Sequence, residues 1–316
     1  MAGQAYGLSR AERKLGLTSD VAVFTPSGYG YGFDIDIGAR PTDSLWRQFR
    51  RRLSFLRAAE VSYDVFHFNF GQTILGIRRF GRVVDELAWL SRRGKTILFT
   101  YQGSDIRGGG GVREKAAHRA LRYGDRVFYQ NPDLRQWLPR SSFLPYAAVD
   151  PAAIRPESPP EGEELIVAHA PTDRVIKGTQ HVIDAVDALR AEGVAISLDL
   201  VEGVTRDVAL ERLAGADLLV DQLRLGWYGT VAVEAMALGR PVLSYIREDE
   251  PEDNPFGAGL PIVRTTSATL VDDLRALTAA RDRLRELGVA GRAFVEEHHD
   301  PVAIARQALA GLVPLP

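Results

Sequence analysis

At 316 residues, with 45% hydrophobic and 25% charged side chains, the chain is long enough to bury two cores, and its composition excludes a disordered protein. A formal net charge of -2 and a pI near 6.3 argue against a nucleic-acid partner held by phosphate neutralisation, so any anion site must be local. The absence of cysteine removes disulfides, thiolate nucleophiles and cysteine-bound zinc.

Apolar, strand-like runs recur at 21–25, 65–70, 96–101, 126–129, 165–169, 196–201, 218–220 and 242–246. Helical stretches lie at 9–16, 45–59, 77–92, 112–122, 178–192, 230–238 and 268–286. This alternation predicts an α/β protein built on parallel sheets. The proline-rich "PYAAVDPAAIRPESPP" at 145–160 suits neither element and reads as a connection between domains. The expected organisation is an amino-terminal domain over 1–150, a linker at 151–160, a second domain over 161–295, and a carboxy-terminal helical segment over 296–316 that could cross back to the first domain. Ligands of open parallel sheets sit beyond the carboxyl ends of the strands, so two such sheets facing each other would bind in the cleft between them. No stretch approaches the roughly 18 apolar residues of a membrane span, and the amino terminus lacks the order of a signal peptide. The cytoplasm is the expected location.

The segment "LGWYGTVAVEAMALGRPV" carries the sharpest signal. Thr230 is placed to cap a helix that Gly239 stops and Pro241 cannot continue. Glu234 then lies one turn inside a helix of small apolar residues. A bare carboxylate there costs several kcal/mol, so Glu234 must either point out of the core or hold a ligand. Lysine occurs only at 14, 95, 115 and 177. Lys177, with Arg174, flanks a helix amino terminus near Gly178, where free N–H groups already favour an anion. The alternative for each is surface charge on a loop. Two such helix ends could hold the two phosphates of a diphosphate while Glu234 accepts hydrogen bonds from ribose hydroxyls.

"IKGTQHVIDA" and "ADLLVDQLRLGWYGTVAVEAMALGRPV", with "YDVFHFNFG", "TYQGSDIR" and "LPYAAVDPAAIRP" in the amino half, resemble the GT-B glycosyltransferases, specifically the retaining enzymes of glycosyltransferase family four. The resemblance covers essentially the whole chain. It implies two Rossmann-like domains, a nucleoside-diphosphate sugar as co-substrate, an acceptor hydroxyl, and no cofactor or metal. Lys177 and Arg174 resemble the basic pair that binds diphosphate, and Glu234 the second glutamate of the paired-glutamate motif, which binds ribose. The backbone from Tyr228 through Gly229 and Thr230 to Val231 would approach the sugar or phosphate. The sequence departs from the family at Gly226, where the first glutamate would fall, and at Gln102, where a histidine is usual; the arginine is also closer to Lys177 than is usual. A catalytically inactive sugar-nucleotide-binding partner protein is therefore the alternative to a retaining transferase.

In the amino half, His67 and Asn69 alternate with Phe66, Phe68 and Phe70 and share one strand face. His67 and Gln102 are candidates for the reaction, and Asn69 and Asp105 for the acceptor; the alternatives are a core histidine and a turn cap at Asp105. The four glycines at 108–111 make no dinucleotide fingerprint and suggest a mobile loop. Asp34 and Asp36 in "FDIDI" match the short acidic motif of metal-dependent transferases without the rest of that pattern. The acidic run at 247–255 reads as a solvated loop. In "DSLWRQFRRRLSFLRAAE", Leu45, Trp46, Phe49, Leu53 and Leu56 form a helical stripe expected to pack inward, although a cationic amphipathic helix could also rest on an anionic membrane. Finally, the resembled family opens its amino domain with a central strand before the glycine loop, whereas Met1 stands almost at that loop. The expectation is that the natural protein starts upstream or that another segment fills the gap.

Overall fold

The computed structural model describes residues 3–79, 82–107, 111–160, 162–248 and 254–315. The glycines at 108–110 and the acidic residues at 249–253 fall outside them, so the two loops expected there are described only at their flanks. The chain divides into two compact units. The first comprises Met1–Ser27, Tyr31–Ala147 and Val302–Pro316, and the second Gly28–Gly30 and Ala148–Pro301.

The first unit contains α1 (Gln4–Lys14), β1 (Ala22–Val23), β2 (Ile35–Asp36), α2 (Leu45–Ser62), β3 (Val65–Asn69), β4 (Ile77–Arg79) and β5 (Arg82–Val84). After these come α3 (Leu87–Arg92), β6 (Thr96–Tyr101), α4 (Ser104–Arg107), α5 (Val112–Tyr123), β7 (Arg126–Tyr129) and β8 (Ser142–Phe143). β3, β6, β7 and β8 run parallel in that spatial order. β1 and β2 form a separate parallel pair, and no strand among the described residues joins that pair to β3. Alternation along β7 shows how the sheet is covered on both faces. Val127 and Tyr129 pack with Phe99, Leu87 and Leu90 in one cluster, whereas Phe128 packs with Leu8, Ala11 and Leu15 of α1 and with Ile304 and Ala308 of the last helix, α12 (Pro301–Leu309).

The second unit holds β9 (Leu165–His169), α6 (Arg174–Lys177), α7 (Thr179–Ala191), β10 (Ile196–Leu200), α8 (Arg206–Ala214), β11 (Leu218–Val220) and α9 (Thr230–Ala237). It continues with β12 (Val242–Ser244), β13 (Val263–Arg264), α10 (Leu270–Ala279) and α11 (Arg281–His298). Its sheet is wholly parallel, in the order β10-β9-β11-β12-β13. Leu165, Val167, Leu218, Val220 and Leu243 pack there with Val182 and Val186 of α7 and Leu274 of α10. An α/β protein on parallel sheets is thus what forms.

Several elements differ from their expected form. The stretch 77–92 is an antiparallel β4–β5 pair, with Ile77 opposite Val84, followed by a short helix at 87–92. The predicted helix 268–286 is two helices, separated at Ala280 by a non-helical φ of -124° and ψ of 63°. On α2, Leu56 is buried, but Leu45 and Trp46 are exposed, so the stripe packs inward only from its second turn. The short elements β2, α4, β8 and β13, and the helix α8, had no expected counterpart.

Candidate functional site

In the second unit, the carboxyl ends of β9 and β11 position the charged residues. His169 ends β9 with a buried ring whose Nδ1 donates to the Val220 carbonyl at 2.7 Å and whose Nε2 accepts from Thr179 Oγ1 at 2.9 Å. Burial holds its pKa below the usual imidazole value, which suits this neutral form. The ring thereby ties the β9–α7 turn to β11. Asp173 caps the single turn of α6 by accepting from Ile176 N at 2.9 Å, and Gly178, at φ 75°, lets the chain turn directly into α7.

Lys177 sits at the end of that turn. Its Nζ lies 2.7 Å from Asp221 Oδ1, the first residue after β11, and Asp221 Oδ2 accepts from Gly229 N at 2.5 Å. The Asp221 carboxylate is wholly buried and the lysine side chain is 13% exposed. One carboxylate thus anchors both the lysine and the residue from which α9 starts. A Cβ at Gly229 would stand 3.0 Å from Lys177 Nζ and 3.4 Å from Asp221 Oδ1, so a side chain there would disturb the pair. Gly229, and not Thr230, is the N-cap of α9, and no side chain caps it. Tyr228 turns its ring inward, with its hydroxyl 3.0 Å from His299 Nε2, leaving only its backbone for the role expected of it.

Glu234 is buried, as its position in an apolar helix demands, but it is not bare. Arg206 Nε, at the start of α8, donates to Glu234 Oε1 at 2.6 Å. This corrects the choice posed by the sequence between an outward-facing carboxylate and a ligand, because a guanidinium from another helix is the third solution. Burial still raises the Glu234 pKa, with Arg206 acting against that shift. Arg174 is committed elsewhere. Its guanidinium makes a two-pronged contact with Glu202 that raises its own pKa and lowers that of Glu202. At Gly226, φ is 71° and an added Cβ would lie 3.0 Å from Arg247 Cβ, so the glutamate that the family motif would place there would be strained and would press on Arg247.

In the first unit, Asn69 ends β3 and Gln102 follows β6, the neighbouring strand. Asn69 Oδ1 and Gln102 Nε2 are both buried without a hydrogen-bond partner, which is costly unless something else meets them. His67 Nε2 is 2.7 Å from Thr100 Oγ1, and burial lowers the imidazole pKa to about 4. Asp105 takes the turn-cap alternative, since its carboxylate accepts from Gln102 N at 3.0 Å and Gly103 N at 2.6 Å. With those oxygens committed to the backbone, the geometry gives no support to an acceptor role. Asp34 binds Arg10, Arg13 and Val21 N, and Asp36 binds Arg40. Among the described residues no group of three or more carboxylates or histidines could hold a metal ion, and no helix is long and apolar enough to cross a membrane.

Asp221 and Arg206 are the residues that sequence reasoning missed. Asp221 directly follows the strand-like run 218–220, the position where ligand-facing residues of parallel sheets stand. Arg206 had a weaker signal: Thr205 as a capping type ahead of Asp207 in a first turn.

No protein-family profile matches the chain, and no curated protein matches it by sequence. Solved structures do match in fold. Anabaena Alr3699/HepE in complex with UDP-glucose superposes with a TM-score of 0.68 at 13% identity, over 98% of this chain and 95% of that one. Sucrose-phosphate synthase from Thermosynechococcus elongatus gives 0.61 at 17% identity, over 95% and 89%. A glycosyltransferase from Rickettsia africae gives 0.61 at 11% identity, over 98% and 93%. Two parallel-sheet α/β units, matched along nearly the whole chain by these structures, give this protein the fold of the GT-B glycosyltransferases.

Proposed function

We propose that the protein is a glycosyltransferase that moves a sugar from a nucleoside-diphosphate sugar to an acceptor hydroxyl, with retention of anomeric configuration. The observation that carries this reading is the meeting of Lys177 Nζ with the amino terminus of α9 at side-chain-less Gly229, with Glu234 one turn further along the same helix. A diphosphate fits such a place because backbone N–H groups, the helix dipole and an ammonium all favour negative charge. Glu234 accepts from the ribose hydroxyls, and Arg174 supplies a second cation once released from Glu202. HepE, which shares the fold, binds UDP-glucose, in line with a donor of that class.

In the reaction, the bond from the anomeric carbon to the diphosphate oxygen breaks and the acceptor oxygen bonds to that carbon on the same face. The acceptor proton passes to the departing phosphate. Lys177 and the α9 terminus stabilise the charge that develops on the diphosphate, a task needing no metal. Gln102 and Asn69, with unmatched polar atoms at adjacent strand ends, hydrogen-bond sugar hydroxyls, and neutral His67 is an acceptor-side candidate.

Calorimetry with a panel of nucleoside diphosphates and their sugars, followed by donor turnover with and without a strong chelator, tests the reading. The expected outcome is donor binding, turnover that survives the chelator, and weakening by roughly tenfold or more in Lys177→Ala, as loss of a charge-assisted contact requires. Failure of every nucleoside diphosphate to bind overturns it. Binding without turnover selects the inactive partner protein in its place.

A further inference from the structure

We propose that the acceptor carries a phosphate monoester, which the first unit holds between Arg52 of α2 and Arg119 of α5; this rests on the reading of the protein as a glycosyltransferase. Both arginines line a cavity of about 480 Å³ whose described lining lies wholly within the first unit. That volume falls in the range of small-molecule sites, about 300 to 1,000 Å³. Phe24, just after β1, and Gln72 and Thr73, just beyond β3, line it as well.

The chemistry of the lining calls for an anion. The Arg52 guanidinium lies over the Phe24 ring, 4.2 Å from its centroid, and donates through one terminal nitrogen to the Leu75 carbonyl at 3.2 Å. Its Nε is buried without a partner, and among the described residues it makes no ion pair. Thr73 is 4% exposed, and its hydroxyl has no partner either. The acids near these arginines are committed elsewhere. Glu86 accepts from Ile74 N at 2.5 Å and Leu75 N at 2.8 Å, while Asp85 holds Arg119 Nε at 3.1 Å and accepts from Leu87 N at 3.3 Å. Neither carboxylate lines the cavity. Two guanidinium groups and a hydroxyl match the three acceptor oxygens and about two negative charges of a phosphate monoester, whereas a carboxylate offers fewer of both.

The position of the cavity assigns that anion to the acceptor. Gln72 N donates to Asn69 O at 3.4 Å, a turn that keeps the two Cα atoms within about 7 Å of each other. Within it Phe70 has a φ of 60°, a left-handed conformation that bulky residues rarely hold, and Gly71 follows at 58°. Gly71 has no room for a side chain, since a Cβ would stand 2.9 Å from the Tyr101 ring. This unfavourable turn fixes Gln72 and Thr73 beside Asn69, whose Oδ1 is buried without a partner. A molecule with its phosphate in the cavity therefore brings its hydroxyl groups to the carboxyl end of β3, where parallel sheets meet their ligands.

The test is calorimetric titration, first with UDP and then, on the UDP-loaded protein, with glucose 6-phosphate and glycerol 3-phosphate against glucose, glycerol and inorganic phosphate. At least one ester should bind about tenfold or more tightly than both its unphosphorylated partner and inorganic phosphate, as charge-assisted contacts require. Arg119→Gln and Gln72→Glu should each remove that preference and leave UDP affinity unchanged; the second only adds a negative charge at an exposed position and so spares the packing. Equal binding of the esters and their partners overturns the inference, as does a preference that survives both substitutions. Inorganic phosphate binding as tightly as the esters also overturns it, because the cavity would then hold free phosphate and not an acceptor. Failure of UDP to bind overturns the proposed donor site, whereas intact UDP binding without a phosphate preference overturns this inference alone.

Discussion

Asp221→Asn gives an unusual expected outcome: a less stable protein that binds nucleoside diphosphate more tightly. The carboxylate is fully buried and holds both Lys177 Nζ and Gly229 N, so the substitution leaves a lysine that is 13% exposed without its counter-ion. Complete removal of one partner from a buried pair costs about 3 to 5 kcal/mol. Asparagine retains an acceptor, so the loss of charge assistance, about 2 to 3 kcal/mol, is the better measure. At about 2 to 4 °C per kcal/mol for a domain of this size, the unliganded variant should melt roughly 4 to 12 °C lower. UDP then supplies the missing anion, and the carboxylate that competed for the lysine and repelled the diphosphate is gone. The UDP-induced rise in melting temperature should therefore exceed that of the wild type by about 2 °C or more, measured by scanning calorimetry at matched UDP concentrations. An equal or smaller rise would refute the reasoning, because Lys177 would then not be the group that meets the diphosphate.

Two further predictions concern buried titratable groups. Burial raises the Glu234 carboxyl pKa, so its neutral form is the better tolerated one; its contribution is full below about pH 4.5 and declines as pH rises through the raised value. Glu234→Gln should melt at or above the wild type at pH 7, with the gap closing on acidification and UDP affinity several-fold lower; a gap that widens toward pH 4.5 contradicts this. His67 is held at about 4 from an ordinary 6.5, so the unfolded chain takes up its proton first as pH falls. Stability should be lost between about pH 6.5 and 4 and then level off, by at most about 3 kcal/mol. His67→Gln should flatten that part of the profile, and superimposable profiles for the two proteins would count against the buried neutral ring.

The parallel-sheet architecture was legible because each buried strand is a short apolar run: 96–101 and 165–169 reappear as β6 and β9 with the same limits. What escaped was set by contacts distant in sequence. α8 carries no clean apolar stripe, with Leu213 alone buried, so its periodicity is silent although it delivers Arg206. The two residues of β2 are too few to register as a strand and form one by pairing with β1, which lies inside the apolar run 21–25. The candidate site was legible in its residue types, since a lysine and a glutamate beside helix-opening glycines are conspicuous. Its ion pairs were not, because Lys177 finds its partner 44 residues away and Glu234 finds its own 28 away.

These pairings alter how a donor would be bound. Lys177, Glu234 and Arg174 each face an opposite charge within the chain, at Asp221, Arg206 and Glu202. At Lys177 and Arg174 an entering anion must therefore compete with an existing carboxylate, and at Glu234 a hydroxyl must compete with a guanidinium, so each gains only the difference between the two contacts. For Lys177 that difference is narrow, because Asp221 is an anion already desolvated and held by Gly229 N. A monophosphate offers little more than the carboxylate it displaces. In the proposed site a diphosphate would span further, meeting the amino terminus of α9 with one phosphate while the other takes the ammonium. If the proposed donor site is right, the closed pairs should make it discriminate by the number of phosphates while keeping its buried charges satisfied without ligand, so UMP should bind far more weakly than UDP in the same calorimetric titration, and equal affinities would count against the pairing argument.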